Sequence, residues 1–236
     1  MSNLNLVRVK VNPPALMRFA AEQGLLRHED DGYGYTVHAW LAAMFGAHAP
    51  KPFRFFESRC EILGYGRVAA ETMADHARAF ASPVAFGALQ QEGLASKPMR
   101  EHWKAGERLC VDVLVCPASR KEGKEKDVFL RALDRLGDSA PSRGEVYVDW
   151  LGRQWGEAVA VEHVELLGFG RRRLLRRNQR HGHDGARVAR RLERPFAEFR
   201  AVVSVAEPRA FQTLLQRGLG RHRSFGFGMM LLSPPT

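Results

Sequence analysis

The chain has 236 residues, 45% of them hydrophobic, so it is long and apolar enough for one large or two small domains and is not disordered by composition. Its 36 Lys and Arg residues outnumber 26 acidic residues, and the net charge of +10 favours a polyanionic partner. Three cysteines without a CxxC pair argue against a disulfide scaffold or a zinc site. Because residues 1–10 lack the apolar core of a signal peptide and no apolar run could span a membrane, we expect a cytoplasmic protein with no membrane partner.

The first half of the sequence has the periodicities of a β-α-β-β-α-β unit. Strands are predicted at residues 4–11, 53–56, 59–63 and 84–89. Helices are predicted at residues 16–26, 35–45 and 69–80. In the second helix, Val37, Trp40, Leu41, Met44 and Phe45 form one apolar face. A Gly-Tyr-Gly turn at 64–66 and a polar linker at 90–106 complete this half.

The second half repeats the same order. Strands are predicted at residues 108–116, 158–167, 196–205 and 228–232. Helices are predicted at residues 128–136, 145–155 and 208–217, and residues 117–126 are predicted to form a basic loop. The duplicated order predicts an α+β fold of two tandem ferredoxin-like (RRM-like) domains, residues 1–98 and residues 104–236. The open sheet face of such a domain can bind RNA.

The densest positive segment is residues 168–194, which carries ten arginines and only two acidic residues. A charge run is usually a solvated loop. Charge of nearly one sign nevertheless repels itself, and nucleic-acid phosphate is a natural counterion. The basic residues that we expect to contact RNA here and in the preceding basic loop are Arg171, Arg172, Arg173, Arg176, Arg177 and Lys121.

A glycine-rich stretch, residues 218–228, lies between the last helix and the last strand. Glycine allows positive φ and close backbone approach, and successive N–H groups can form an anion nest. The alternative is a simple glycine-bearing turn before a strand. The residues expected to contact RNA are Gly218, Gly220, Arg221, His222, Arg223, Ser224, Gly226 and Gly228.

Tyr35 and His38 lie three residues apart on the second predicted helix and therefore share a face. A histidine can exchange protons with a ribose or phosphate near neutral pH. The alternative is a half-buried histidine that packs the helix on the sheet, beside a half-exposed tyrosine. His181, His183 and Asp184 could mimic a metal site, but a flexible arginine-rich loop offers no rigid ligand shell, so we expect no metal and no cofactor.

Three features of the sequence resemble the CasE (Cse3) family of CRISPR precursor-RNA processing endoribonucleases. They are the Tyr-x-x-His motif of residues 35–38, the tandem ferredoxin-like order, and a Gly-x-Gly-x-x-x-Ser-x-Gly-x-Gly pattern near the end of the chain. The last pattern is the most specific and comprises Gly218, Gly220, Ser224, Gly226 and Gly228. Arg221 and His222 replace residues that are often small or proline in the family, and the arginine-rich segment is longer and more basic than expected.

The resemblance implies metal-independent cleavage of CRISPR repeat RNA at the 3′ base of its stem-loop. It implies a 2′,3′-cyclic phosphate end, retention of the product and assembly with the other subunits of the Cascade complex. By position, His38 would be the main catalytic residue and Tyr35 its helper, while Arg223 stands where the family often has Lys. Two alternatives remain: a non-catalytic RNA-binding subunit of a CRISPR ribonucleoprotein, and a ferredoxin-like small-molecule enzyme.

Overall fold

The computed structural model describes residues 4–25, 33–181 and 187–235, with the backbone alone for residues 175–181 and 187–191. Two four-stranded antiparallel sheets organise this part of the chain. Among the helices described, none combines the length and the apolar character that a membrane span requires.

The first sheet has the strand order β2-β3-β1-β4. Val7, Val9 and Val11 alternate along β1 and are fully buried beneath the helices, as expected for a sheet with one covered face. The elements of this half are β1 (Asn5–Val11), α1 (Pro13–Glu22), α2 (Gly34–Phe45), β2 (Phe53–Phe56), β3 (Glu61–Gly66), α3 (Ala70–Phe80), α4 (Pro83–Phe86) and β4 (Leu89–Pro98).

The second sheet has the equivalent order β10-β5-β9-β8. A capping box of Ser142 and Glu145 starts its longest helix, α6. The elements are β5 (Arg108–Val115), β6 (Ala118–Lys121), β7 (Lys124–Asp127), α5 (Val128–Leu136), α6 (Arg143–Trp155), β8 (Val159–His181), β9 (Arg187–Val205), α7 (Pro208–Arg217) and β10 (Met230–Ser233). The shared strand order confirms the predicted α+β fold with two ferredoxin-like sheets.

Three local predictions in the first half are wrong. Residues 64–66 are not a turn but the end of β3. Residues 83–86 form α4 instead of a strand, because Ser82 caps the helix and Pro83 suits its first turn. The predicted linker contains most of β4, an edge strand whose polar residues face solvent.

Two basic segments predicted as loops are also β-structure. Residues 118–127 form the hairpin β6–β7, which turns at Glu122 and Gly123, both with positive φ. The arginine-rich segment extends β8 and β9 into a hairpin paired from Arg171 with Pro195 to His181 with Arg187. We call residues 171–181 and 187–194 the basic arm. Composition misled the prediction because backbone pairing between adjacent strands does not require apolar side chains on both faces.

The two halves of the chain contact each other directly. The buried Tyr65 hydroxyl of β3 donates a hydrogen bond to the carbonyl oxygen of Met230 in β10, at 2.8 Å. Arg54 of β2 forms an ion pair with Glu198 of β9. Leu4 and Tyr65 belong to the apolar core that surrounds the second sheet. These contacts bring α2 of the first half to the glycine-rich stretch of the second.

Candidate active site

Helix α2 holds both predicted catalytic residues on its partly exposed face. Tyr35 and His38 are half-buried, with ring centroids 6.4 Å apart. On the opposite face, Trp40 is fully buried and its indole Nε1 donates to the carbonyl oxygen of Ala85 at 2.8 Å. The anchored apolar face therefore fixes the direction in which the Tyr35 and His38 side chains point.

The environment of His38 favours a neutral imidazole. Burial lowers the pKa of His38 below its ordinary value of 6.5, and the positive charge of Lys51 lowers it further. A neutral imidazole can accept a proton from a hydroxyl group, so His38 is suited to general-base chemistry near pH 7.

The glycine-rich stretch lies against the beginning of α2. A Cβ atom added at Gly34 would lie 2.8 Å from the carbonyl oxygen of Phe225, so only glycine permits this approach. The Phe225 ring also contacts that of Tyr35, with centroids 6.1 Å apart. The structure thus brings the predicted catalytic helix and the predicted RNA-binding stretch together, although they are far apart in sequence.

The glycines of the stretch serve close packing of the protein on itself. Gly218, Gly220, Gly226 and Gly228 all have positive φ. A Cβ atom at Gly218 would lie 2.9 Å from Pro52 in the first half, and one at Gly220 would lie 3.0 Å from Trp150.

The backbone of the same stretch is partly engaged within the protein. The N–H group of Leu219 bonds to the carbonyl of Gly228, that of Phe225 to His222, and that of Gly228 to Leu114. These three N–H groups are not directed at a ligand, in contrast to the anion nest considered from the sequence. The glycines shape the loop, and side chains must supply most of its charge.

Two arginines and a histidine meet one carboxylate beside this stretch. Glu125 of β7 forms an ion pair with Arg194 Nε at 2.7 Å, accepts a hydrogen bond from Arg221 Nε at 2.8 Å, and also contacts His222 Nε2. Arg221 and His222, predicted as RNA ligands, are therefore engaged within the protein. Sequence reasoning missed Glu125, and the only signal was an acidic residue within a basic hairpin.

The ionisation of this cluster follows from burial and charge. Burial works to raise the pKa of Glu125, but the hydrogen bond from His222 and the charges of His222 and Arg194 outweigh it and leave that pKa below its usual value. Burial lowers the pKa of His222, and Glu125 only partly opposes this shift. The cluster therefore combines an ionised carboxylate with two guanidinium groups.

The remaining predicted residues of the stretch lie close to the same place. Arg223 donates to the carbonyl oxygen of Arg217 at the end of α7. Ser224 is half-buried in the short 3₁₀ turn that Arg223 begins. Both residues border Phe225 and hence the beginning of α2.

The basic arm starts next to the glycine-rich stretch. Leu174 of the arm, Phe227 and Leu114 belong to one small apolar cluster, against which Phe196 packs. Helix α2 also contacts β8. The base of the arm is therefore packed on the stretch and borders α2.

The surroundings of the predicted RNA-binding arginines are described for Arg171, Arg172 and Arg173. Arg171 is exposed and lies 3.4 Å from Glu193, while the Arg172 guanidinium lies over the Phe196 ring at 5.2 Å. Arg173 is exposed and also interacts with another group of the protein. The side chains of Arg176 and Arg177 lie outside the described part. Lys121, at the tip of the β6–β7 hairpin, is exposed and lies 3.8 Å from Glu122.

Within the described ranges, no three His, Cys, Asp or Glu side chains are grouped as metal ligands would be. The His181 side chain, His183 and Asp184, the one group considered from the sequence, are outside these ranges. The three cysteines are free thiols, and Cys110 and Cys116 are buried. The site contains acid–base and cationic groups.

Several solved structures of CRISPR proteins have the same architecture as this chain. Cse3 bound to a 19-nucleotide RNA has 18% identity and a TM-score of 0.64, over 98% of this chain and all of the other. Thermus thermophilus Cse3 with an RNA representing a pre-cleavage complex has 17% identity and a TM-score of 0.61, over 98% and 100%. Cas6e from Escherichia coli K-12 has 17% identity and a TM-score of 0.55, over the same shares.

At these identities the solved structures establish a common fold, in agreement with the resemblance to Cse3 seen in the sequence. No individual curated protein sequence matches this chain. The sequence model of one family, described as CRISPR associated protein, matches residues 4–234. Because that match spans nearly the whole length, the chain belongs to this family of CRISPR associated proteins.

Proposed function

We propose that this protein is a metal-independent endoribonuclease that cleaves CRISPR repeat RNA at the 3′ base of its stem-loop. The product would keep a 2′,3′-cyclic phosphate end and stay bound, so that the protein serves as a subunit of a Cascade complex. Membership of the CRISPR associated family and the fold shared with RNA-bound Cse3 support this proposal. A related surveillance complex contains a chain with the same fold, at 14% identity and a TM-score of 0.53.

The observation that carries the proposal is the contact of Tyr35 with His38 on one side and Phe225 on the other. It places a titratable imidazole beside a loop that carries arginines. RNA cleavage without a metal requires this combination of groups, because a proton must move and a charged phosphorane must be stabilised.

The chemistry assigns a role to each group. The 2′-hydroxyl attacks the adjacent phosphorus, its proton passes to a base, and the 5′-oxygen leaves with a proton from an acid. His38, held neutral by burial, suits the first proton transfer, with Tyr35 assisting. Arg223 at the start of the 3₁₀ turn would stabilise the developing negative charge.

The basic arm would hold the RNA stem. It consists of two paired strands, and its arginines suit contacts with the phosphates of a duplex stem. Since its base packs on the glycine-rich stretch, a stem held by the arm would direct its lower end toward α2.

We also propose that the chain divides into domains of residues 1–98 and 104–236, since β4 ends at Pro98 and β5 begins at Arg108. Expressing the two pieces separately tests this division. Each should give a cooperative thermal transition, and a piece without one would contradict the boundary.

The activity is tested with a cognate repeat stem-loop in excess EDTA. We expect the wild-type protein to make a single cut at the 3′ base of the stem. His38→Ala should lower the cleavage rate by a factor of about 100 or more and keep its RNA affinity. His102→Ala, at an exposed histidine outside the site, is the control and should cut normally. Binding without cleavage by the wild type would instead favour a non-catalytic RNA-binding subunit.

A further inference from the structure

Glu125 connects three elements that surround the candidate active site. It lies on β7, Arg194 lies at the end of the basic arm in β9, and Arg221 and His222 lie in the glycine-rich stretch. The side chains of Glu125 and His222 are only 11% and 9% exposed. The cluster is thus buried at Glu125 and His222 and open to solvent at Arg221, which is 42% exposed, so it differs from the fully exposed pairs common on protein surfaces.

The cluster is joined to the catalytic helix by consecutive ring contacts. The His222 ring lies 5.8 Å from that of Phe225, Phe225 lies 6.1 Å from Tyr35, and Tyr35 lies 6.4 Å from His38. Each ring therefore restricts the next one along the series.

We propose that Glu125 is a positioning residue for RNA cleavage: through His222 and Phe225 it sets the placement of Tyr35 beside His38. The inference rests on the proposed nuclease function and extends it to a residue that is not expected to touch the scissile phosphate.

The geometry of His222 explains why a tether is needed. Its backbone has φ of 58°, a left-handed conformation that few non-glycine residues adopt. A residue in this conformation persists only when its surroundings hold it there. Glu125 supplies that restraint by contacting the side chain, while Arg194 Nε lies 3.3 Å from the same ring.

The charges of the cluster are a second reason why Glu125 restrains the glycine-rich stretch. Removal of the carboxylate would leave the mostly buried Arg194 close to the exposed Arg221, with no nearby anion described beside both. Uncompensated charge in such a place drives local rearrangement. The rearrangement would move the glycine-rich stretch, and with it Phe225.

A different interpretation is that Arg194, Arg221 and His222 form a phosphate site which Glu125 blocks. Burial argues against it for Arg194, which is only 18% exposed, so that Arg221, at 42%, is the one arginine of the cluster open to an RNA phosphate. The two interpretations predict opposite changes in RNA affinity, so one experiment distinguishes them.

The experiment measures the single-turnover cleavage rate at saturating protein and, separately, the Kd for a non-cleavable 2′-deoxy stem-loop. We expect Glu125→Ala to slow cleavage by about tenfold or more while Kd changes by less than about threefold. Glu125→Gln, which keeps an accepting oxygen but not the charge, should fall between Glu125→Ala and the wild type.

Asp127→Asn is the matched control. Asp127 lies on the same strand, is buried, and pairs with Arg143 and Tyr147 away from the glycine-rich stretch. The change also removes a buried carboxylate charge, while Asn still caps α5. It should lower thermal stability yet cleave at the wild-type rate once RNA is saturating.

A second variant makes the proposal independent of the stability of Glu125→Ala. Phe225→Leu removes the ring in the middle of the contact series. If Glu125 acts through Phe225, the double variant should be no slower than the slower single variant, since coupled residues are not additive.

The outcomes separate the two proposals. A wild-type protein that does not cleave overturns the nuclease function and this inference together. If the wild type is active, any of three results overturns the positioning role alone. These are full cleavage rates for Glu125→Ala and Glu125→Gln, multiplicative effects of the Glu125 and Phe225 substitutions on the rate, or tighter RNA binding by Glu125→Ala.

Discussion

Gly34 and Phe225 meet backbone to backbone, across the boundary between the first and second halves of the chain. A Cβ atom at Gly34 would lie 2.8 Å from the Phe225 carbonyl oxygen, too close for any real side chain. Helix α2 begins there without a side-chain cap. This approach is what allows Tyr35 to reach the Phe225 ring, so the candidate active site depends on it.

Gly34→Ala should therefore slow cleavage by about tenfold or more, since the clash moves α2 away from the glycine-rich stretch. Helix propensity alone would favour Ala by about 1 kcal/mol. Gly152→Ala on α6 is the control, because an added Cβ there meets no atom within 4 Å. It should raise the melting temperature and leave the rate unchanged. Single-turnover rates and melting curves of both variants measure this, and a stabilised, fully active Gly34→Ala would contradict the predicted clash.

The rate should depend on pH through His38. A base with a lowered pKa loses its proton at lower pH, so the rate should rise with pH and level off, with a midpoint below 6.5. Lys51→Gln removes one of the charges that lowers this pKa and should move the midpoint upward. Burial, the larger cause of the lowered pKa, remains, so the midpoint should stay below 6.5.

Lys97→Gln, at an exposed lysine of β4, is the control and should leave the pH profile unchanged. Rates measured on pre-bound RNA from pH 5 to 8 are required, and a Lys51→Gln midpoint equal to wild type would contradict the assignment.

Tyr35 combines a packing ring with a hydroxyl group, and two substitutions separate these roles. Tyr35→Phe keeps the ring between His38 and Phe225 and should slow cleavage by about tenfold if the hydroxyl assists proton transfer. Tyr35→Leu also removes the ring contacts and should be slower still. Neither should change RNA affinity by much, because binding is assigned to the arm. Equal rates for wild type and Tyr35→Phe would limit Tyr35 to packing.

The basic arm should determine how RNA affinity responds to salt. Changing residues 171–173 from Arg to Glu should reduce the slope of log affinity against log salt by about one for each RNA phosphate that the arm no longer neutralises. A control that reverses Arg18, Arg78 and Arg153 alters the net charge equally and should keep the slope, because these exposed arginines lie on the helices α1, α3 and α6 and not on the arm. Affinities at four or more salt concentrations give both slopes. Equal slopes of log affinity against log salt for the arm variant and the wild type would exclude the arm from the RNA interface.

The sequence predicted the order of most strands and helices along the chain, including the helix that carries Tyr35 and His38, because these elements depend on local periodicity. The apolar face of α2 and the alternation of β1 are visible in short windows, and residues 16–26, 35–45 and 69–80 are close to the helices observed. The strands within residues 90–98, 118–127, 171–181 and 187–194 were missed because they are polar and stabilised by pairing with another strand. Pairing partners lie outside any local window.

The sequence by itself determined the duplicated fold and predicted His38, Tyr35 and the glycine pattern as site residues, since each is carried by residues close together in the chain. Only the tertiary structure decided that Phe225 contacts Tyr35 and that Glu125 holds Arg221 and His222. Glu125 and His222 are 97 residues apart. Contacts at such separations arise from how the two sheets pack, and burial then turns an inconspicuous glutamate into the centre of an ionic cluster.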